Sequence, residues 1–245
     1  RMNRIKALVE YEGTRYNGFQ KQPQGLTVEG ELEEAIRKLT GENLRLLAAG
    51  RTDAGVHALG QVIAFDTESP IPPERFAPAL NSVLPSDIRV LKSEKAKEGF
   101  HPRYQARAKA YLYLIYRQEE GRTFYRNLAY YYPQPLDLPA MTKAARYMEG
   151  THDFMAFCAS GSGVRNYVRT VFEVNINEKP PFLQIDVCGD GFLYNMVRIM
   201  VGTLLEVGRK RFAPEEVEQI LLSRCRQRAG PTVPACGLYL KRVFY

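Results

Sequence analysis

The spacing of apolar residues in the first hundred positions predicts short strands with few helices between them. Runs of strand length occur at residues 5–11, 44–48, 62–65 and 88–91. A helix is predicted after Thr27, a good N-cap residue, and before Gly41, which suits a helix end. A second helix is predicted at residues 72–84, a segment that opens with prolines. Because several strands follow one another directly, the pattern favours an α+β fold with an antiparallel sheet.

The second half of the chain shows the same kinds of element without repeating the sequence. Strands are predicted at residues 109–117, 168–177, 182–187 and 238–244, and helices at residues 138–148, 194–207 and 214–222. The segment ASGSGVRN, at residues 159–166, is small and polar and predicts a flexible loop. We therefore predict two similar α+β halves, residues 1–100 and residues 101–245.

Charge distinguishes the two halves. The chain of 245 residues has a net charge of +7. Residues 1–100 hold 14 basic and 14 acidic side chains, whereas residues 101–245 hold 20 and 13, so the second half carries the whole excess. A one-sided excess of basic residues makes a polyanion the first partner to consider.

The longest apolar stretch, residues 196–207, contains Arg198 and is shorter than the roughly 18 apolar residues of a membrane span. No export signal opens the chain, and we expect a cytoplasmic protein without a membrane partner. The four cysteines include no C-x-x-C pair and the three histidines are far apart, so no metal site is predicted.

The most unusual local sequence is GRTDAGVHALG at residues 50–60, between two predicted strands. It places Arg51 and Asp53 two residues apart between glycines, which allow a ligand to approach the backbone closely. A carboxylate beside a guanidinium on such a turn could act in catalysis. The residues alone leave open an aspartate that only hydrogen-bonds its own turn.

Two further groups of residues suggest chemistry. Between residues 100 and 126, arginines such as Arg103 and Arg107 alternate with tyrosines such as Tyr111 and Tyr113. Cations bind a phosphate backbone and aromatic rings stack on unpaired bases, although these tyrosines could instead fill a half-buried sheet. Arg198 lies in an apolar helix, where an arginine needs a partner, either Asp53 or a structural carboxylate.

With these residues laid out, the chain resembles the TruA family of tRNA pseudouridine synthases over nearly its whole length. The resemblance is carried by YEG and GFQ at residues 11–13 and 18–20, AGRTDAGVH at 49–57, GQV at 60–62, LP with DI at 84–88, FH at 100–101, Tyr111 with Tyr113, MVR with VG at 196–202, and GLYL at 237–240. The block around GRTD is the most specific of these. Tyr194 and Asn195 stand where the family often has two histidines.

The resemblance implies isomerisation of uridine to pseudouridine at positions 38, 39 and 40, in the anticodon stem-loop of tRNA. It implies no metal or organic cofactor, and a homodimer that binds tRNA. The implied fold joins the antiparallel sheets of the two halves into one large central sheet flanked by helices, with a catalytic cleft between the halves.

Residue roles are also implied by the resemblance. Asp53 would be the catalytic residue, because a carboxylate must either attack the base or sugar or remove a proton. Arg198 would be the cation that keeps the carboxylate ionised. Tyr111 would stack on the flipped uracil, and Arg51 would hold the flipped nucleotide through its phosphate. Contacts to the tRNA backbone are expected from Arg103, Arg107 and Arg165.

Two alternatives remain at this point. The chain could be a non-catalytic RNA-binding protein that shares the fold, for which Asp53 would be dispensable. It could also be a synthase that acts on another RNA. Release of a label from C5 of uridine would distinguish an isomerase from a binding protein, and mapping of modified positions would identify the RNA.

Overall fold

The computed structural model describes all residues from 1 to 245 and contains ten strands and five α-helices. The strands are β1 (Asn3–Tyr11), β2 (Leu47–Ala48), β3 (His57–Thr67), β4 (Ile88–Lys95), β5 (Ala108–Tyr116), β6 (Tyr130–Tyr131), β7 (Gly150–Asp153), β8 (Val168–Lys179), β9 (Phe182–Gly189) and β10 (Leu238–Phe244). The helices are α1 (Val28–Thr40), α2 (Phe76–Asn81), α3 (Leu138–Met148), α4 (Met196–Gly208) and α5 (Glu216–Ser223).

The chain divides into two compact units. Unit 1 comprises residues 1–107 and 239–245, and unit 2 comprises residues 108–238. This division falls later than the predicted boundary at residue 100. It also places the final strand in unit 1 rather than with the second half, because Tyr239 and Leu240 pair with His57 and Ala58 of β3.

Unit 1 has a sheet in the order β4-β1-β3-β10, with β2 paired to β3. Its pairs are antiparallel except for β3 with β10. Alternate residues of β1 are buried, from Ile5 to Tyr11, which is the pattern of a strand with one face on a core. Phe65 of β3 meets Phe76 of α2 edge to face, with ring centroids 5.3 Å apart. The α+β class predicted from the pattern is confirmed in this unit.

Local sequence signals predict the bounds of one helix of unit 1 correctly but not the length of the other. The Thr27 side chain accepts a hydrogen bond from the Gly30 N–H, and Gly41 ends α1 in the left-handed region with φ of 76°. The predicted start and end of α1 are therefore confirmed. The helix predicted at residues 72–84 is wrong in length, since a 3-10 turn precedes the six-residue α2. Pro78 is tolerated because it lies in the first turn, where its missing N–H has no partner to lose.

The strands of unit 2 follow the order β5-β9-β8-β7, antiparallel throughout, and β6 adds to β5 in parallel. The bounds of α3 and β10 match the prediction. The prediction missed β6 and β7, which are too short to show a periodic pattern. The apolar helix α4 is buried along nearly its whole length. None of the helices combines the length and apolar character that crossing a membrane requires.

Candidate active site

The GRTD segment forms a loop between β2 and β3 in unit 1. It is shorter than predicted, because β3 already begins at His57. Thr52 is buried, whereas Arg51 and Asp53 on either side of it are exposed. The exposed guanidinium of Arg51 and the exposed carboxylate of Asp53 therefore flank a residue that is anchored in the protein.

Three hydrogen bonds anchor this loop to its surroundings. The hydroxyl oxygens of Thr52 and Tyr11 lie 2.6 Å apart, and the Thr52 carbonyl accepts a bond of 3.0 Å from the Phe19 N–H. The buried Gln61 side chain donates to the Gly50 carbonyl at 2.8 Å. Burial of the Tyr11 hydroxyl raises its pKa to about 12, so the phenol stays protonated and can take part in this bond at neutral pH.

The end of the loop is held by backbone contacts. The Val56 N–H donates to the Asp53 carbonyl at 3.0 Å and closes the turn. Gly13 packs so closely that a Cβ there would lie 2.0 Å from the Val56 carbonyl oxygen, and its N–H donates to Nδ1 of the buried His57 at 2.8 Å. The YEG segment, which begins at the last residue of β1, thus supports the loop from one side, and only glycine fits at its third position.

In unit 2, Tyr111 and Tyr113 both lie on β5, as the sequence predicted. Their spacing of two residues is that of side chains on the same face of a strand. Tyr113 is fully buried and its hydroxyl donates to the Pro234 carbonyl at 2.6 Å, so it fills the core. Tyr111 is half-buried, and its ring meets Phe192 edge to face with centroids 5.2 Å apart. Of the two rings, Tyr111 is the one with a face that could meet a ligand.

Arg198 lies in the apolar helix α4, as the sequence predicted, and occupies its third position. Its Nε donates to the Val233 carbonyl at 2.8 Å, and its Nη1 donates to Oδ1 of Asn195 at 3.2 Å. Within unit 2 these two neutral oxygens fix the guanidinium. The pairing of Arg198 with Asp53 stays a prediction.

The chain that carries Val233 is pressed against α4. A Cβ on Gly202 would lie 1.8 Å from the Pro231 carbonyl oxygen, so this contact requires glycine. The buried Thr203 hydroxyl accepts a bond of 2.9 Å from the Gly230 N–H and donates to the Ile199 carbonyl at 2.8 Å. The VG pair of the MVR segment therefore contributes to the position of the Val233 carbonyl, and through it to that of Arg198.

The remaining predicted residues are exposed arginines. Arg103 and Arg107 lie before β5 in unit 1, and Arg165 lies in the loop before β8 in unit 2. The Arg103 guanidinium carbon is 6.0 Å from the centroid of the Tyr104 ring. Unit 1 thus carries Asp53 with three of the predicted arginines, and unit 2 carries Tyr111 with the other two.

Sequence reasoning missed two residues that position others. Tyr11 was identified only as the end of a strand and as part of the YEG motif, because its partner Thr52 is 41 positions away. Asn195 precedes α4 with φ of 59°, a left-handed conformation that asparagine adopts more readily than most residues. The asparagine directly before the helical segment was a signal from which Asn195 could have been identified.

Comparisons with known proteins identify the family of this chain. A family model described as tRNA pseudouridine synthase matches residues 7–105 and 144–245, which is most of the chain. A protein of Syntrophomonas wolfei named tRNA pseudouridine synthase A is 52% identical over 244 residues, covering 100% of this chain and 98% of the relative. A protein of Moorella thermoacetica with the same name is 51% identical over 243 residues, covering 98% of this chain and 99% of the relative.

A third relative of that name, from Acetivibrio thermocellus, is 48% identical over 244 residues and is covered completely, as is this chain. Among solved structures, a chain of an archaeal box H/ACA sRNP Nop10-Cbf5 complex is 14% identical, with a TM-score of 0.34. That alignment covers 82% of this chain and 44% of the solved chain. The likeness to this solved structure is weak, whereas the relatives found by sequence match the chain over its full length.

Proposed function

Because the chain belongs to the tRNA pseudouridine synthase family, whose reaction isomerises uridine in tRNA, we propose that it modifies positions 38, 39 and 40 in the anticodon stem-loop. Full-length identity of about half to relatives named tRNA pseudouridine synthase A supports the enzyme class. Support for the proposed site comes from Asp53, which is exposed on its loop, whereas the neighbouring residue Thr52 is buried and hydrogen-bonded.

The reaction sets the demands on the site. The bond between N1 of uracil and C1′ of the ribose breaks, the base turns, and a bond between C5 and C1′ forms. The proton on C5 leaves, and N1 gains one, so the product is an isomer of the substrate. We propose that Asp53 acts on the flipped nucleotide, either by covalent attack on the base or sugar or by removing a proton. An anchored loop suits this role because it holds the carboxylate at a defined position.

The other residues would bind and orient the nucleotide. Arg198 would be the cation that keeps Asp53 ionised, and its guanidinium is already fixed by the Asn195 and Val233 oxygens. The Tyr111 ring would stack on the uracil. Flipping a base costs a few kcal/mol, less in a loop than in a stem, so stacking offsets part of this cost.

Arginines at the surface would contact the RNA backbone. Arg51, next to the catalytic loop residue, would take the phosphate of the flipped nucleotide. Arg103, Arg107 and Arg165 are exposed and would contact phosphates farther along the tRNA. Since three neighbouring uridines are to be accepted, recognition would rest on backbone and shape rather than on base edges. By the same resemblance we propose a homodimer that works in the cytoplasm, which sedimentation analysis and fractionation would test.

The decisive experiment uses tRNA transcribed with tritium at C5 of uridine. Isomerisation releases the label to water, whereas binding alone releases none. Modified positions are then mapped on the unlabelled transcript, with variants in which each of the three uridines is replaced by cytidine. Label release that disappears when all three are replaced supports the proposal. Release from other positions would reject the site assignment, and no release would reject the activity.

A further inference from the structure

A groove of about 620 Å³ lies along α1 in unit 1. Its lining comes from α1, from the chain before it, from the segment between α1 and β2, and from Arg51 of the catalytic loop. The proposed function assigns only Arg51 of these residues. The groove therefore continues from the proposed phosphate contact of the flipped nucleotide onto a surface without an assigned role.

Charged side chains dominate the lining, and most of them are paired with one another. The cations are Lys21, Arg37, Arg45 and Arg51, and the carboxylates are Glu29, Glu33 and Glu34. Glu34 accepts two bonds from Arg37, at 2.7 and 2.9 Å. Glu33 accepts from the Leu46 N–H at 3.1 Å and lies 3.5 Å from the Lys21 ammonium. Glu29 accepts from the Lys21 N–H at 3.0 Å.

Two cations of the groove remain without such a partner. Arg45 and Arg51 are both exposed, and neither forms an ion pair within unit 1. Arg45 lies between α1 and β2 and Arg51 lies in the catalytic loop, whereas all three carboxylates belong to α1. Two guanidinium groups without an ion-pair partner in one groove favour anions that offer two neighbouring acceptor oxygens, such as phosphates.

The other lining residues indicate which part of a nucleic acid would lie here. Leu44 and Leu46 are the only apolar side chains of the lining, and no aromatic ring contributes to it. A base would thus find no stacking surface, whereas a phosphodiester backbone needs none. The groove is suited to a single strand bound through its phosphates.

We infer that this groove binds the tRNA strand next to the flipped uridine, with Arg45 contacting a phosphate of a neighbouring nucleotide. The inference rests on the proposed function, because Arg51, which lines the groove, is the residue proposed to hold the phosphate of the flipped nucleotide. Arg45 would contribute to tRNA affinity and not to the chemical step, since it lies outside the catalytic loop.

The test measures tRNA binding as a function of KCl concentration for Arg45→Gln, Arg45→Lys and Arg89→Gln. Arg89 is the matched control, because it is exposed on β4, forms no ion pair and does not line the groove. One lost phosphate contact reduces the slope of log Kd against log salt by about 0.7 to 0.9. We expect this loss for Arg45→Gln, with a wild-type slope for Arg89→Gln and Arg45→Lys and unchanged kcat at saturating tRNA for all three.

A wild-type slope for Arg45→Gln would overturn the inference, as would equal losses for Arg45→Gln and Arg89→Gln. Thermal unfolding verifies that each variant is folded, and Arg45→Glu, which reverses the charge, must weaken binding further. Label release by the wild-type protein tests the proposed function separately. An active enzyme with an unchanged Arg45→Gln slope would disprove only the groove, and a changed slope in a protein without activity would disprove only the reaction.

Discussion

The hydroxyl groups of Tyr11 and Thr52 form a buried hydrogen bond of 2.6 Å that joins β1 to the loop carrying Asp53. Thr52 is 7% exposed and Tyr11 is 4% exposed, so water does not replace either partner. Since Asp53 directly follows Thr52, this bond helps to hold in place the loop that presents its carboxylate. It links the hydrophobic core of unit 1 to the residue next to the proposed chemistry.

Replacing Tyr11 with Phe should therefore reduce both stability and turnover. The ring remains, but the Thr52 hydroxyl loses its partner, which costs about 1 kcal/mol of unfolding free energy. We expect kcat to fall with little change in KM for tRNA, because substrate binding does not use this bond. Tyr16→Phe is the control, since its buried hydroxyl binds Asp87, away from the loop. Equal losses of kcat in the two variants would contradict a positioning role for Tyr11.

Asp53→Asn should remove turnover while tRNA affinity stays close to the wild-type value. The amide keeps the size of the side chain but is neither a nucleophile nor a base, so we expect a loss of at least about a thousandfold. Label release gives the rate, and filter binding gives the affinity. Loss of affinity with residual turnover would show that Asp53 binds RNA rather than acting on the base.

Arg198→Met should lower turnover and also destabilise unit 2. The apolar side chain cannot donate to the buried Val233 carbonyl, and an unsatisfied acceptor costs about 1–3 kcal/mol. It also removes the cation proposed to act on Asp53. Arg198→Lys keeps the charge but cannot reproduce both guanidinium contacts, so an intermediate kcat is expected. Near-normal kcat for Arg198→Met would disprove the proposed role of Arg198.

Two substitutions of Asn195 separate its backbone role from its side-chain role. Glycine adopts φ of 59° without strain, whereas alanine there costs about 1 kcal/mol. Both variants lose the Oδ1 acceptor of Arg198. We expect similar reductions of kcat for the two variants, with lower thermal stability only for Asn195→Ala. Full activity of Asn195→Gly would show that the Oδ1 contact is not needed.

The ion pair between Arg4 and Asp66 predicts a change of stability in acid. The hydrogen bond from the Arg4 guanidinium holds the pKa of Asp66 below its ordinary value of 3.8. Its contribution to stability is therefore present above about pH 4 and is lost as the pH falls through the lower, folded-state pKa. The difference in unfolding free energy between wild type and Asp66→Asn should shrink as the pH falls below about 4. A difference that does not vary with pH would exclude this linkage.

Local signals in the sequence determined several elements of this fold. Thr27 and Gly41 bound α1 because capping involves only neighbouring backbone groups. The bounds of α3 and β10 also followed from short-range periodicity. The residues that carry the proposed chemistry, such as Asp53 and Arg51, stood out because glycines and charged residues are rarely packed so closely between two strands.

Contacts between distant residues needed the tertiary structure. No local pattern indicates that β10 pairs with β3, or that Val233 provides the acceptor for Arg198, 35 positions earlier. The same holds for Thr52, whose hydroxyl forms a hydrogen bond with Tyr11, 41 positions earlier. The sequence by itself determined which side chains are available for chemistry and where short elements begin and end. Only the tertiary structure decided what holds those side chains in place, because packing joins residues that sequence distance keeps apart.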